Sequence, residues 1–477
     1  METRQSSQLQ VAIVGGGIIG LITALGLLKR NVPVKIYEQA RSFREIGAGV
    51  AFTANALKCM SLLDPVIVDC VNAVATPNGE DIDKPNDYLR YHDGYNWDPN
   101  DVESTDDKLL FLLYSGYKGF QGCHRANLLD ELVKSIPSHA VEFGKRFTGY
   151  KDRGPKEPIP SPFFFHDADL KLTVKLITVI GCDGIKSKVR QLLLGEENPA
   201  SYPHFTHKVA YRALIPMDQV EPVIGTFKSR NQHMHMGPRA HILHFPVAAG
   251  KLLNVVAFVT DHSDWPLGDP NGVGNMTSAA TREDVAAAFE GWGPTVRKIV
   301  SLLPDNIDKW AIFDTYDHPA TTFVQGRVCL AGDAAHASAP HHGAGAGIGV
   351  EDALALCTLL EKAMGTIAQS PQMDRSVVID ASLQIYNDVR PPRSQWLVQS
   401  SREVCDIYEW VYPGTQRDWD KCLGEITARS HKLWYFDIEG MLEQLHNGYE
   451  SHFPAMVDSS SEGVRVDMKN KVIPVVS

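Results

Sequence analysis

Three times along the chain, a short run of branched apolar residues ends in a glycine-containing turn and leads into a segment of helical character. Leu9 to Val14 runs into Gly15-Gly16-Gly17-Ile18-Ile19-Gly20 and an apolar helix predicted from Leu21 to Leu28. Thr178 to Gly181 runs into Cys182-Asp183-Gly184 and a basic helix start. Val328 to Ala331 runs into Gly332-Asp333, then Pro340, alternating glycines from Gly343 to Gly349, and a helix predicted to begin near Gly349 that carries Glu351-Asp352-Ala353. Strand, turn and helix in that order is the unit of an α/β fold with a Rossmann-like parallel sheet. A further strand, Val34 to Tyr37, ends in Glu38.

From about Tyr202 to Asp314 the period changes to two. Val209 to Ile215, His233 to Gly237, His241 to Val247 and Leu252 to Thr260 alternate like strands of an antiparallel sheet. Alternation places Tyr211 and Arg212 on opposite faces, and likewise His244 and Phe245, while His233 and His235 share one. Residues 75–107, rich in Asp, Asn, Pro and Gly, read as a loop with an aromatic patch from Tyr88 to Trp97. Beyond the Glu351 helix the chain reads as helical, interrupted by Pro391-Pro392 and resuming near Ser394. These patterns divide the chain into a discontinuous nucleotide-binding domain (1–75, 115–200 and 316–370), a substrate sheet (76–114 and 201–315), a helical region (371–455) and a flexible tail (456–477).

Composition narrows the class. The 477 residues are 44% hydrophobic and 22% charged, as in globular proteins, and a net charge of -11 disfavours nucleic acid and anionic membrane as partners. Eight cysteines without a CxxC pair read as free thiols in a reducing compartment, and neither a signal peptide nor a membrane span is visible. The expectation is a soluble cytoplasmic protein.

The turns suggest their chemistry. Gly15 permits a tight turn, Gly17 lets a pyrophosphate approach the backbone, and Gly20 lets the helix pack on the strand. Glu38 can accept both hydroxyls of an adenosine ribose and would repel a 2′-phosphate, which favours FAD or NAD at this site. The small residues from Glu45 to Leu57, including Ala51, read equally as an ordinary loop and cap or as a wall beside a flavin ring. Arg125 sits in a first helical turn, where a cation meets an anion or points to water. Asp183-Gly184 forms a sharp turn beside Lys186, Lys188 and Arg190, whose charges are either a solvated face or a guide for an anionic nicotinamide. Asp333 is placed to accept from a polyol, Pro340 offers a flat face, and the amides of Gly345 and Ala346 can meet developing negative charge. Three histidines, His336, His341 and His342, lack an acid in ligand spacing, so no metal is expected. Arg212, inside an apolar strand, needs an anion or a structural ion pair.

Together the GGGIIG motif at 15–20, Glu38, His124-Arg125, the GCDGIKSKVR segment at 181–190 and the GDAAH…P…GAGAGIG…EDA block resemble the group A flavoprotein monooxygenases, which include salicylate hydroxylase. The resemblance spans about residues 9 to 450. It implies a PHBH-type FAD domain with an antiparallel substrate sheet and C-terminal helices, non-covalent FAD, NADH or NADPH as reductant, and O2 activated as a C4a-hydroperoxyflavin. It further implies FAD contacts at Glu38, Ala51, Arg125, Asp333 and Ala346, and a phenolic substrate, most similar to the polyketide phenols of fungal dearomatising hydroxylases, held as phenolate by Arg212. Salicylate hydroxylation with loss of CO2 and a non-turnover flavin sensor are the alternatives. At Phe245 some dearomatising relatives carry tyrosine; Tyr117 and His235 are candidates to replace its hydroxyl. A monomer or homodimer is expected.

Overall fold

A computed structural model of the chain describes residues 11–43, 49–81, 84, 86–116, 120–150, 162–166, 171–175, 178–266 and 274–454. Tyr117 and the tail 456–477 lie outside the described residues.

A six-stranded sheet runs in the order Val324–Gln325, Val328–Leu330, Thr178–Gly181, Val11–Val14, Val34–Glu38 and Val141–Phe143. All its pairings are parallel except the outermost one, Val324–Gln325 with Val328–Leu330. Helices Ile18–Lys29 and Gly345–Gln369 pack with it in one apolar core, which is why Val11–Val14 is buried at every position instead of alternating. Val11–Val14 has Val34–Glu38 on one side and Thr178–Gly181 on the other. The strand order therefore reverses at the first glycine turn, and a crevice opens at the carboxyl ends of these strands.

The second sheet has eight strands: Thr277–Thr281, Asn306–Asp314, His204–Pro216, Leu252–Thr260, Ala240–Val247, His233–Gly237, Tyr88–Asp93 and Lys108–Tyr114. Its pairings are antiparallel with one exception, because His233–Gly237 runs parallel to Tyr88–Asp93. That strand falls in the segment read as a loop. Leu89 and Tyr91 join the core on one face, while Arg90 and His92 on the other are buried against polar partners, so the strand is covered on both faces inside a stretch rich in turn-forming residues.

One face of this sheet, carrying Val209, Tyr211, Ile242 and Val255, packs with Phe289, Trp292 and Val296. On the other face Ala210, Val256 and Phe258 cluster with Ala339, while Met234 and Met236 cluster with Ala344, Ile348 and Leu397. The glycine-rich loop before the long helix is thus clamped against the eight-stranded sheet. After that helix come Arg375–Val389, Pro391–Tyr408, Trp419–Trp434 and Ile438–His452. The interruption expected at the prolines is only a boundary: Pro391 and Pro392 open the next helix, where missing N–H groups cost nothing. Among the described residues no helix is long and apolar enough to cross a membrane.

Candidate active site

The first turn is built around backbone contact. Gly15 has φ +102°, and a Cβ there would lie 2.5 Å from the Cys182 carbonyl oxygen. At Gly20 a Cβ would lie 2.1 Å from the Gly15 oxygen, so strand and helix meet only through glycine. Gly17 is the N-cap of Ile18–Lys29 and no side chain caps that helix, which leaves its first amides for an anion. Glu38 stands at the rim, its two oxygens accepting the Gly16 and Ala40 N–H groups at 2.7 Å each. Half-buried and fixed by backbone, it retains lone pairs toward the crevice.

The second turn is braced by its own acid: Ser187 Oγ and the Lys188 and Val189 N–H groups all donate to the Asp183 carboxylate. Its Cα also lines the first turn, being one of the atoms that a Cβ on Gly15 would strike. Arg190 is not surface charge. It is buried and donates to the carbonyls of Ala200, Ala334 and Ala335, which pins the third turn from behind.

In the third turn Gly332 has φ +61° and donates its N–H to Asp352 Oδ2 at 3.0 Å. Asp333 follows at the head of a single helical turn; it is exposed, and among the described residues no donor meets its carboxylate. The long helix starts at Gly345, four residues earlier than the glycine pattern suggested. Tertiary packing outweighs glycine's poor helix propensity there, because a Cβ on Gly349 would lie 2.8 Å from the Ile19 side chain and one on Gly347 would lie 3.4 Å from Ala56. The Gly345 and Ala346 N–H groups therefore fall in the first turn without helical acceptors. A Cβ on Gly345 would stand 3.9 Å from Asp333 Oδ1, so the free acid and the free amides share one wall. Pro340 opens the short turn Pro340–His342 just before them.

Behind this wall is a buried charge network not foreseen from sequence. Arg390 reaches Asp352 Oδ1 at 2.8 Å and Glu351 Oε2 at 3.0 Å; Arg393 also holds Glu351, and Asn55 donates to it. His336 Nε2 meets Asp352 at 2.6 Å. Two adjacent acids in the apolar first half of this helix were the available signal, since buried carboxylates require partners.

Ala51 and Arg125 are brought together by a small sheet in which Gly49–Phe52 pairs with Gln121–His124, Ala51 opposite Gly122, and the helix begun by Arg125 follows directly. Arg125 is exposed. Its charge is felt by Arg212: burial first, and then the Arg125 guanidinium, pull the Arg212 pKa down to about 10. Arg212 lies over the Trp310 ring at 5.6 Å, and its buried Nε has no hydrogen-bond partner. Phe245 shares that face, with its ring edge-on to Phe120 at 5.2 Å.

His235 is on the other face and does not join Arg212. Its Nδ1 meets Asp107 at 2.6 Å and its Nε2 meets His244 at 3.1 Å; His92 and His233 complete the cluster at 2.9 Å. Period two places His235 opposite Ile242 and therefore away from Phe245. The other histidines are dispersed among separate partners, His336 on Asp352 and His342 on Ser400. Among the described residues one trio, His241, Cys405 and Glu409, gathers donor atoms within 4.8 Å, but Lys208 already neutralises Glu409.

Known proteins share this construction. The family described as FAD binding domain matches residues 278–376. An FAD-dependent monooxygenase of Monascus ruber, pigN, is 48% identical over 94% of this chain and 98% of its own length. The salicylate hydroxylase asL1 of Sarocladium schorii is 45% identical over 93% of this chain and 91% of its own. A solved salicylate hydroxylase substrate complex superposes with a TM-score of 0.76 at 31% identity, covering 92% of this chain and 98% of that one. A glycine turn only backbone can fill, a free acid facing free amides and these relatives across nearly the whole length agree: the chain belongs to the FAD-dependent monooxygenases of the salicylate hydroxylase type.

Proposed function

We propose that this monooxygenase uses NADH or NADPH and O2 to hydroxylate a phenolic aromatic compound, a polyketide-derived phenol of fungal secondary metabolism. In this reading the Gly15, Gly17 and Gly20 turn receives the pyrophosphate, and Glu38 the adenosine ribose. Arg125 meets the diphosphate, Asp333 the ribityl chain, and Pro340 with Ala51 borders the ring. The Gly345 and Ala346 amides face the edge where charge gathers on reduction. Bound FAD, reduced by the nicotinamide, supplies the activated oxygen.

The observation that carries the substrate class is Arg212, a cation on the flavin-side face with an unpartnered Nε. A desolvated guanidinium favours an oxyanion, and binding the phenol ionised raises electron density on the ring carbon to be hydroxylated. The test is a panel of resorcinols, acyl-phenols and salicylates, read by NAD(P)H consumption and product mass. Expected are a yellow protein, consumption stimulated by a phenol, and a product one oxygen heavier. Colourless folded protein, or consumption that yields only peroxide with every phenol, would overturn the reading. The Arg125 charge near Arg212 also suits a salicylate-type carboxylate, and release of CO2 identifies that variant.

A further inference from the structure

A second buried donor stands beside Arg212. Asn254 is 2% exposed and lies directly across from Phe245 on one neighbouring strand and from Leu214 on the other. Arg212 pairs with Val256, two residues along, so Arg212, Asn254 and Phe245 share a face, and the first two are diagonal neighbours roughly 7 Å apart. The amide orientation is set by the backbone: Gly49 N–H donates to Asn254 Oδ1 at 3.2 Å. Nδ2 is then a donor, and it has no partner. The strand bearing Gly49 and Ala51 rests on this spot, since a Cβ on Gly49 would lie 2.8 Å from Asn254 Cγ and 2.9 Å from Phe245 Cζ.

A buried donor left unpaired costs about 1–3 kcal/mol. Two of them on one face, beside the strand that borders the flavin wall, call for one acceptor. We infer that Asn254 Nδ2 donates to a substrate oxygen alongside the Arg212 guanidinium and takes the place of the hydroxyl that Phe245 lacks. This rests on the phenol reading above. The ligand is a phenolate, and Asn254 stabilises the anion without providing a proton acceptor.

The test uses FAD-loaded enzyme and 4-nitrophenol, whose visible absorption reports its ionisation when bound. Asn254→Asp keeps the acceptor for Gly49 and removes the donor; Asn254→Ala removes both. Wild type should lower the apparent pKa of the bound phenol. Both variants should raise it and weaken binding tenfold or more, with FAD content unchanged in Asn254→Asp. Wild-type behaviour of Asn254→Asp, with only Asn254→Ala impaired, would reduce Asn254 to a pin for Gly49. Loss in Asn254→Asp alone would be a charge effect and equally overturn the inference. If wild type fails to bind 4-nitrophenol, or Arg212→Ala binds it as wild type does, the phenol reading falls and this inference with it. A defect in Arg212→Ala beside a normal Asn254→Asp sinks this inference alone.

Discussion

Arg390, at the junction of Arg375–Val389 and Pro391–Tyr408, and Asp352, on the helix Gly345–Gln369, are joined by a 2.8 Å ion pair that solvent does not reach. Asp352 also holds the Gly332 N–H, so the pair connects the third turn of the crevice to the C-terminal helices. Removing one member of a buried pair leaves the other uncompensated, at about 3–5 kcal/mol. Arg390→Ala should lower the thermal midpoint and release FAD on gel filtration, although the residue lies behind the wall.

Asp333 should behave in the opposite way. Its carboxylate supports no hydrogen bond among the described residues. Asp333→Ala should leave the stability of the FAD-free protein within about 0.5 kcal/mol. FAD affinity should fall roughly 10- to 100-fold, the range for one charge-assisted hydrogen bond. Flavin fluorescence titration alongside thermal denaturation separates the two effects.

Phe245 has little room to grow. Its Cζ is 2.9 Å from where a Gly49 Cβ would stand, and its Cδ2 is as close to that of Gly122. A tyrosine hydroxyl would press on the strand of Gly49, an overpacking of about 1–3 kcal/mol. Phe245→Tyr should therefore lower the thermal midpoint without increasing phenol turnover.

The histidine cluster predicts acid sensitivity. Burial, partly offset by Asp107, holds His92 down at about 4, and it holds His233 and His244 well below their usual value. An unfolded histidine protonates near 6.5, so between that pH and 4 the unfolded chain binds protons that the folded chain refuses. Stability is full above pH 6.5 and falls as pH drops, by roughly 3 kcal/mol at most for His92 alone. Asp107, held low by His235, His92 and Lys228, adds a loss in the same direction below about pH 4. Denaturant midpoints measured from pH 8 to 4 should decline monotonically.

The parallel sheet and most of the substrate strands were legible from periodicity because their apolar residues follow the period their packing requires. Tyr88–Asp93 was not, since it lies among turn-forming residues and the partners Asn231 and His233 that bury Arg90 and His92 are each 141 residues away. The same limit applies at the site. Glu38, Asp183 and Asp333 all stand at strand ends, yet only the fold shows that Asp183 accepts three donors of its own turn and helix while no donor among the described residues meets Asp333. Asn254 carries no local signal: its amide is oriented by Gly49, 205 residues away.

Strand order also sets a timetable for folding. The central strand Val11–Val14 is made before its neighbour Thr178–Gly181, and Val328–Leu330 follows only after the eight-stranded sheet has been made. Such pairings close very long loops, and domains dominated by them fold slowly. The crevice at the ends of these strands is therefore complete only once the inserted sheet and the strand Val328–Leu330 have been made. Truncation anywhere before the helix Gly345–Gln369 should then abolish flavin binding altogether, even with the first glycine turn intact.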